Sequence, residues 1–166
     1  MKSFSIALAF AAAAAAAPAA TPSYLYTLVV DGFKGSNSSI NGLHVQAANG
    51  RLVVAEPTVD LKVTFDPEDG SVYYKGNQHV YSNGTSGQTF YQKTATAPLP
   101  DHARVTGYQV SQDENKTYLV GHGTWFLCPF QSTAGPAYTV FELAPGGGAV
   151  DHTCSAARLS LEVSPA

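Results

Sequence analysis

The sequence predicts an all-β fold: one domain built as a sandwich of short antiparallel strands, with a small closed or trefoil-like barrel as the alternative. Three observations predict it. Asn49-Gly50 stands between two extended runs in LHVQAANGRLVV, and Asn-Gly is the strongest short hairpin signal because a tight two-residue turn needs positive φ at both positions. In LKVTFDPEDGSVYYKG, Leu61, Val63 and Phe65 alternate with polar residues before a Pro-Glu-Asp-Gly turn, and Val72 to Tyr74 lead back. Beyond the N-terminus, no window keeps the apolar period of about 3.6 residues that an amphipathic helix requires.

Taken in order, the chain begins with MKSFSIALAFAAAAAAAPAATPS: one positive residue, Lys2, an apolar run from Phe4 to Ala17, and small residues around Pro18. That is the layout of a secretory signal peptide with an A-x-A site for cleavage after Ala19. A bilayer span needs about 20 apolar residues, and this run is shorter and ends in proline. The expectation is a signal peptide at 1–19 and a single β-rich domain at 20–166, exported, soluble and free of the membrane once processed. The C-terminal RLSLEVSPA has no apolar tail of the kind that directs a lipid anchor.

Strands are expected next at Leu25 to Val30, on both sides of Asn49-Gly50, at Leu61 to Phe65, Val72 to Tyr74, His79 to Tyr81, Thr89 to Gln92 and Val105 to Val110. Four more are expected at Thr117 to Val120, Trp125 to Cys128, Tyr138 to Leu143 and Ala157 to Val163. In the last, Ala157, Leu159, Leu161 and Val163 share one face and Arg158, Ser160 and Glu162 the other, as in a half-buried strand. TATAPLPDHA, Thr94 to Ala103, reads as a connection across the end of the domain, and APGGGAV, Ala144 to Val150, as a loop.

At 166 residues, with 45% hydrophobic and 13% charged side chains, the chain can bury a real core and is not tail-like. Its net charge is −3, and Lys and Arg occur singly along the sequence, so no basic stripe suited to a nucleic-acid backbone is evident. Export gives meaning to three acceptors for N-glycosylation, at Asn37 (Asn-Ser-Ser), Asn83 (Asn-Gly-Thr) and Asn115 (Asn-Lys-Thr), each in a segment expected to turn.

Candidate chemistry is sparse. The histidines His44, His79, His102, His122 and His152 lack the spacing that places two metal ligands on one element, and no metal or cofactor is expected. Asp151-His152 offers adjacent groups that a strand would send to opposite faces. GTSGQ around Ser86 only approximates a nucleophile elbow. Gly121-His122-Gly123 reads either as a tight turn before Trp125 or as a place where backbone approaches a ligand. The acidic residues of DPEDG and QDEN fall in expected turns, while Glu142 and Glu162 are expected on solvent faces near strand ends, so no acid and base pair for glycoside hydrolysis stands out. Tyr73, Tyr74 and Tyr81, with amides nearby in SVYYKGNQHVYSNG, are candidates for carbohydrate contact or are ordinary tyrosines at the edge of a core.

The two cysteines, Cys128 and Cys154, lie at the outer ends of a strand-loop-strand unit in an exported chain and are expected to form a disulfide. Trp125 is expected to be a core anchor in the same segment.

TWFLCP, followed by AYTVFEL and then CSAARL, resembles the C-terminal part of small fungal secreted proteins of the PhiA-like cell wall group, some of them described as IgE-binding proteins. NQHVYSNGTSGQTFYQKTATAPLPDHARVTGYQV and LHVQAANGRLVV resemble upstream parts of the same family, so the likeness runs from about residue 25 to residue 163. The chain lacks a cysteine pair that many members carry in their first half. The resemblance implies a non-enzymatic, structural or wall-associated role tied to development, with no catalytic residues; wall polysaccharide is the expected partner and a monomer the expected state. The competing expectation is a small secreted hydrolase or host-interacting effector with a carbohydrate ligand.

Overall fold

The computed structural model describes residues 24–33, 38–55, 58–113, 115–145 and 151–164. The expected signal peptide, the acceptor Asn37 and most of the glycine-rich APGGGAV loop lie outside them. Fourteen strands and one short 3-10 turn make up the described chain. They are β1 (Tyr26–Gly32), the turn Ser38–Ile40, β2 (Val45–Ala48), β3 (Arg51–Val54), β4 (Val59–Asp60), β5 (Lys62–Asp66), β6 (Ser71–Tyr74) and β7 (Gln78–Asn83). After these come β8 (Thr89–Tyr91), β9 (Ala103–Arg104), β10 (Gln109–Asp113), β11 (Lys116–Val120), β12 (Thr124–Ser132), β13 (Gly135–Leu143) and β14 (Ser155–Val163).

Local sequence explains most of these elements. Asn49 and Gly50 take φ of 51° and 85°, so both turn residues are left-handed and Ala48 faces Arg51 across a two-residue hairpin. The Pro67-Glu68-Asp69-Gly70 turn is held by Asp66 Oδ1 accepting the Glu68 amide at 2.9 Å, by Asp69 Oδ1 accepting the Ser71 amide at 2.8 Å, and by Gly70 N–H donating to the Asp66 carbonyl. The strands β4 and β9, two residues each, carry no periodic signal and were not expected from the sequence. The segment expected to be a strand at Val105 to Val110 instead turns at Gly107 and begins β10 at Gln109; consequently Gln112 and Asp113, expected in a turn, belong to a strand whose residues are all exposed.

All the strands belong to one antiparallel, hydrogen-bonded network. The path runs β1-β5-β6-β7-β8-β3-β13-β12-β14, and β14 then pairs with β1 over seven positions, from Tyr26 opposite Val163 to Gly32 opposite Ala157. The pairing therefore returns to its starting strand, so neither β1 nor β14 is left as a free edge. The all-β, antiparallel expectation holds, while two separately paired sheets are not what the ladder forms. The β10–β11 hairpin extends from β14, with β10 as its outer strand.

The inward positions of this network form a single apolar cluster. Leu28, Val30, Leu52, Val54, Leu61, Val63, Val72, Leu127, Val140 and Leu159 are each no more than 1% exposed. Trp125 joins them at 5% exposure, its Nε1–H donating to the Leu119 carbonyl at 2.9 Å, so the expected anchoring role is met. Cys128 and Cys154 form a disulfide, closing a separation of 26 positions. Because Leu127 faces Ser155, continuing the register sets Cys128 opposite Cys154, so the bond staples directly adjacent positions of β12 and β14.

Candidate functional site

Strand alternation sorts the candidate tyrosines. Tyr73 lies on the outer face of β6, opposite Thr64 on one side and His79 on the other, with its ring 4.7 Å from the His79 ring. Two residues along β7 on the same face, Tyr81 stacks on Phe90 with ring centroids 5.6 Å apart and planes at 23°. Both Tyr81 and Phe90 are half-buried, and that burial pushes the Tyr81 hydroxyl pKa upward. Tyr74 belongs to the opposite face: only 6% exposed, it packs edge-on against Tyr91 inside the core. Of the two outer-face tyrosines, both half-buried, Tyr73 is the one that borders a groove. It lines a groove of about 280 Å³ together with Leu25, Val59, Lys62, Thr64 and Lys75. Val59 is 71% exposed, an apolar side chain presented to solvent at the groove's rim.

Of the N-x-[ST] asparagines within the described residues, one closes a strand at a turn and one lies between two strands. Asn83 ends β7 with its Oδ1 accepting the Thr85 and Ser86 amides, each at 2.9 Å, so its side-chain oxygen holds the 84–86 turn. Asn115 is exposed between β10 and β11.

The histidines do not converge, and among the described residues no group of three His, Cys, Asp or Glu could hold a metal ion. His44 Nδ1 lies 2.7 Å from Asp60 Oδ2, and His152, in a turn, lies beside Asp151. Among the described residues no helix is long and apolar enough to cross a membrane.

Two constellations were not expected from sequence. The first surrounds Glu142, which is 1% exposed rather than on a solvent face. On β13 it is in phase with Tyr138 and Val140, and that spacing is the signal that could have placed it inside. Its Oε1 accepts the His122 amide and its Oε2 accepts the Tyr108 hydroxyl at 3.3 Å. A Cβ at Gly121 would collide with the Glu142 carboxylate, so the glycine allows the 121–123 segment to close over it. The approach that Gly121-His122-Gly123 permits is therefore to a buried carboxylate of the same chain. Tyr108 is 2% exposed, and burial followed by the nearby Glu142 charge drives its hydroxyl pKa far upward, which keeps it protonated as a donor.

The second constellation pins the β10–β11 hairpin to the closed sheet. Asp31 Oδ2 accepts the Tyr118 hydroxyl at 2.5 Å and lies 3.3 Å from both Lys116 Nζ and an Arg158 guanidinium nitrogen, while the other Arg158 terminal nitrogen reaches Asp113 at 2.8 Å. The Arg158 guanidinium also sits 4.3 Å from the Tyr118 ring centroid. The Tyr118 hydrogen bond, with Lys116 and Arg158 nearby, holds the Asp31 pKa below its ordinary value against the opposing effect of partial burial. Tyr118 is pushed up to about 12 by burial and by the bond it donates.

Comparison of the chain with protein-family models, with curated proteins and with solved structures finds no match.

Proposed function

We propose that this chain is a non-enzymatic, exported protein that associates with the cell wall or extracellular matrix through contact with polysaccharide, the role implied by its resemblance to the PhiA-like group. The observation that carries the reading is Tyr73: an aromatic ring on the outer face of a rigid sheet, in a groove, beside the hydroxyl-bearing Thr64. Aromatic faces of this kind stack on sugar C–H surfaces while neighbouring polar groups meet hydroxyls. The Cys128–Cys154 bond supports export, because such bonds persist in oxidising compartments.

The competing hydrolytic reading finds its one buried carboxylate among the described residues in Glu142. Both of its oxygens are engaged within the core, by His122 and Tyr108, which favours a structural role for it.

Co-sedimentation with insoluble chitin, β-glucan and whole wall preparations tests the proposal. The wild-type chain is expected in at least one pellet, with retention reduced about tenfold in Tyr73→Ala at unchanged melting temperature. A chain that stays in the supernatant with all three, or Tyr73→Ala retained like wild type, would contradict it.

A further inference from the structure

Among the described residues, the cations other than Arg104 are divided between two ends of the sheet. At one end, Lys116 and Arg158 are both paired, with Asp31 and Asp113. At the other, Arg51, Lys62, Lys75 and Lys93 are all exposed, and among the described residues none of the four is in an ion pair. Strand pairing gathers them. Lys62, which opens β5, and Lys75, in the turn just after β6, both line the Tyr73 groove. Gln78, opposite Tyr74, donates its side-chain amide to the Lys93 carbonyl, and the Lys93 stem lies beside Gly50, next to Arg51. The one acidic side chain lining this groove, Asp60, already has His44 as its partner at 2.7 Å.

We propose that this groove binds an acidic glycan, a chain of carboxylate-bearing sugars, with Tyr73 under a sugar face and Lys62 and Lys75 meeting its carboxylates. The proposal rests on the polysaccharide-contact reading above and assigns the class of sugar. Charge complementarity selects it: two exposed cations line the groove with neither in an ion pair among the described residues, Lys75 resting 5.1 Å from the Tyr74 ring centroid, and a neutral glycan would make no use of their charge.

Titration calorimetry of the folded chain with a short oligogalacturonate, a neutral chitin oligomer, a neutral β-glucan oligomer and a single-stranded oligonucleotide tests it. The oligogalacturonate is expected to bind most tightly, with affinity falling as NaCl rises from about 50 mM to about 500 mM. Lys62→Gln combined with Lys75→Gln should weaken it about tenfold, while Arg104→Gln, on β9 beside the opposite end of β7, should leave it unchanged. Both changes lie on exposed or partly exposed side chains, and matching thermal melts confirm that folding is intact. Equal or tighter binding of a neutral oligomer would overturn the acidic-glycan assignment and leave polysaccharide contact standing. Tighter binding of the oligonucleotide, or oligogalacturonate binding indifferent to the two lysines, would also overturn it. Failure with every glycan here and in co-sedimentation would remove both readings.

Discussion

At the scale of single residues, Glu142 governs the most. A buried carboxylate is tolerated where donors meet it, and here a backbone amide and a protonated tyrosine do so. Glu142→Ala leaves the His122 amide and the Tyr108 hydroxyl without their acceptor and opens a void, and should destabilise the protein by roughly 2–5 kcal/mol in urea unfolding. Glu142→Gln keeps an acceptor oxygen for the amide and should cost less than half of that. Equal losses for the two variants would mean that charge, and not acceptor geometry, matters at this position. The sequence left Glu142 ambiguous because AYTVFEL carries apolar residues on both of its alternating faces: Tyr138 and Val140 on one, Ala137, Phe141 and Leu143 on the other. A strand packed on both sides gives no polar face to read. Tyr74 was ambiguous for a related reason, since tyrosine suits both a core edge and an open face, and only its phase with Val72 marks it as internal.

At the scale of elements, the β10–β11 hairpin depends on Asp31. Its folded pKa is depressed, so it contributes stability that is fully present above the unfolded value of about 3.9 and is lost as pH falls through the lower folded value. The groups facing it are Tyr118 and Lys116 from β11 and Arg158 from β14, with Asp113 on β10 sharing that arginine. Melting temperature should therefore fall more steeply below about pH 4 in wild type than in Asp31→Asn; parallel profiles would show that the pairing adds nothing. The disulfide ties β12 to the start of β14, two strands separated in sequence by β13 and the glycine-rich loop. Reduction should cost about 3–4 kcal/mol through restored freedom of the unfolded chain, measured as a lower urea midpoint in reductant. An unchanged midpoint would show that strand pairing alone holds β12 to β14. This bond was legible from two cysteines in a chain expected to be exported. The Asp31 cluster was not, because its members come from positions 31, 113, 116, 118 and 158, and no local pattern joins them.

At the scale of the whole molecule, turn chemistry and alternation were enough to read an all-β chain and most of its strands. Closure was not readable in the same way. It depends on β1 meeting β14, elements at opposite ends of the described chain, and alternation says which face of a strand is apolar but not which strand lies beside it. Among the described residues, the same pairing gathers the cations other than Arg104, scattered singly in sequence, into a paired end and an unpaired end, so a charge pattern that looked featureless along the chain has a direction in space. With Tyr73 at the unpaired end, the fold offers an external contact surface separate from its stapled and internally satisfied parts. The central claim is that this surface holds an exported protein at the wall. Its most direct test is to separate a producing culture into medium, detergent-extracted wall and alkali-extracted wall, and blot each for the wild-type chain and for Tyr73→Ala. The wild type is expected in the wall fractions and Tyr73→Ala chiefly in the medium; wild type confined to the medium would contradict the account.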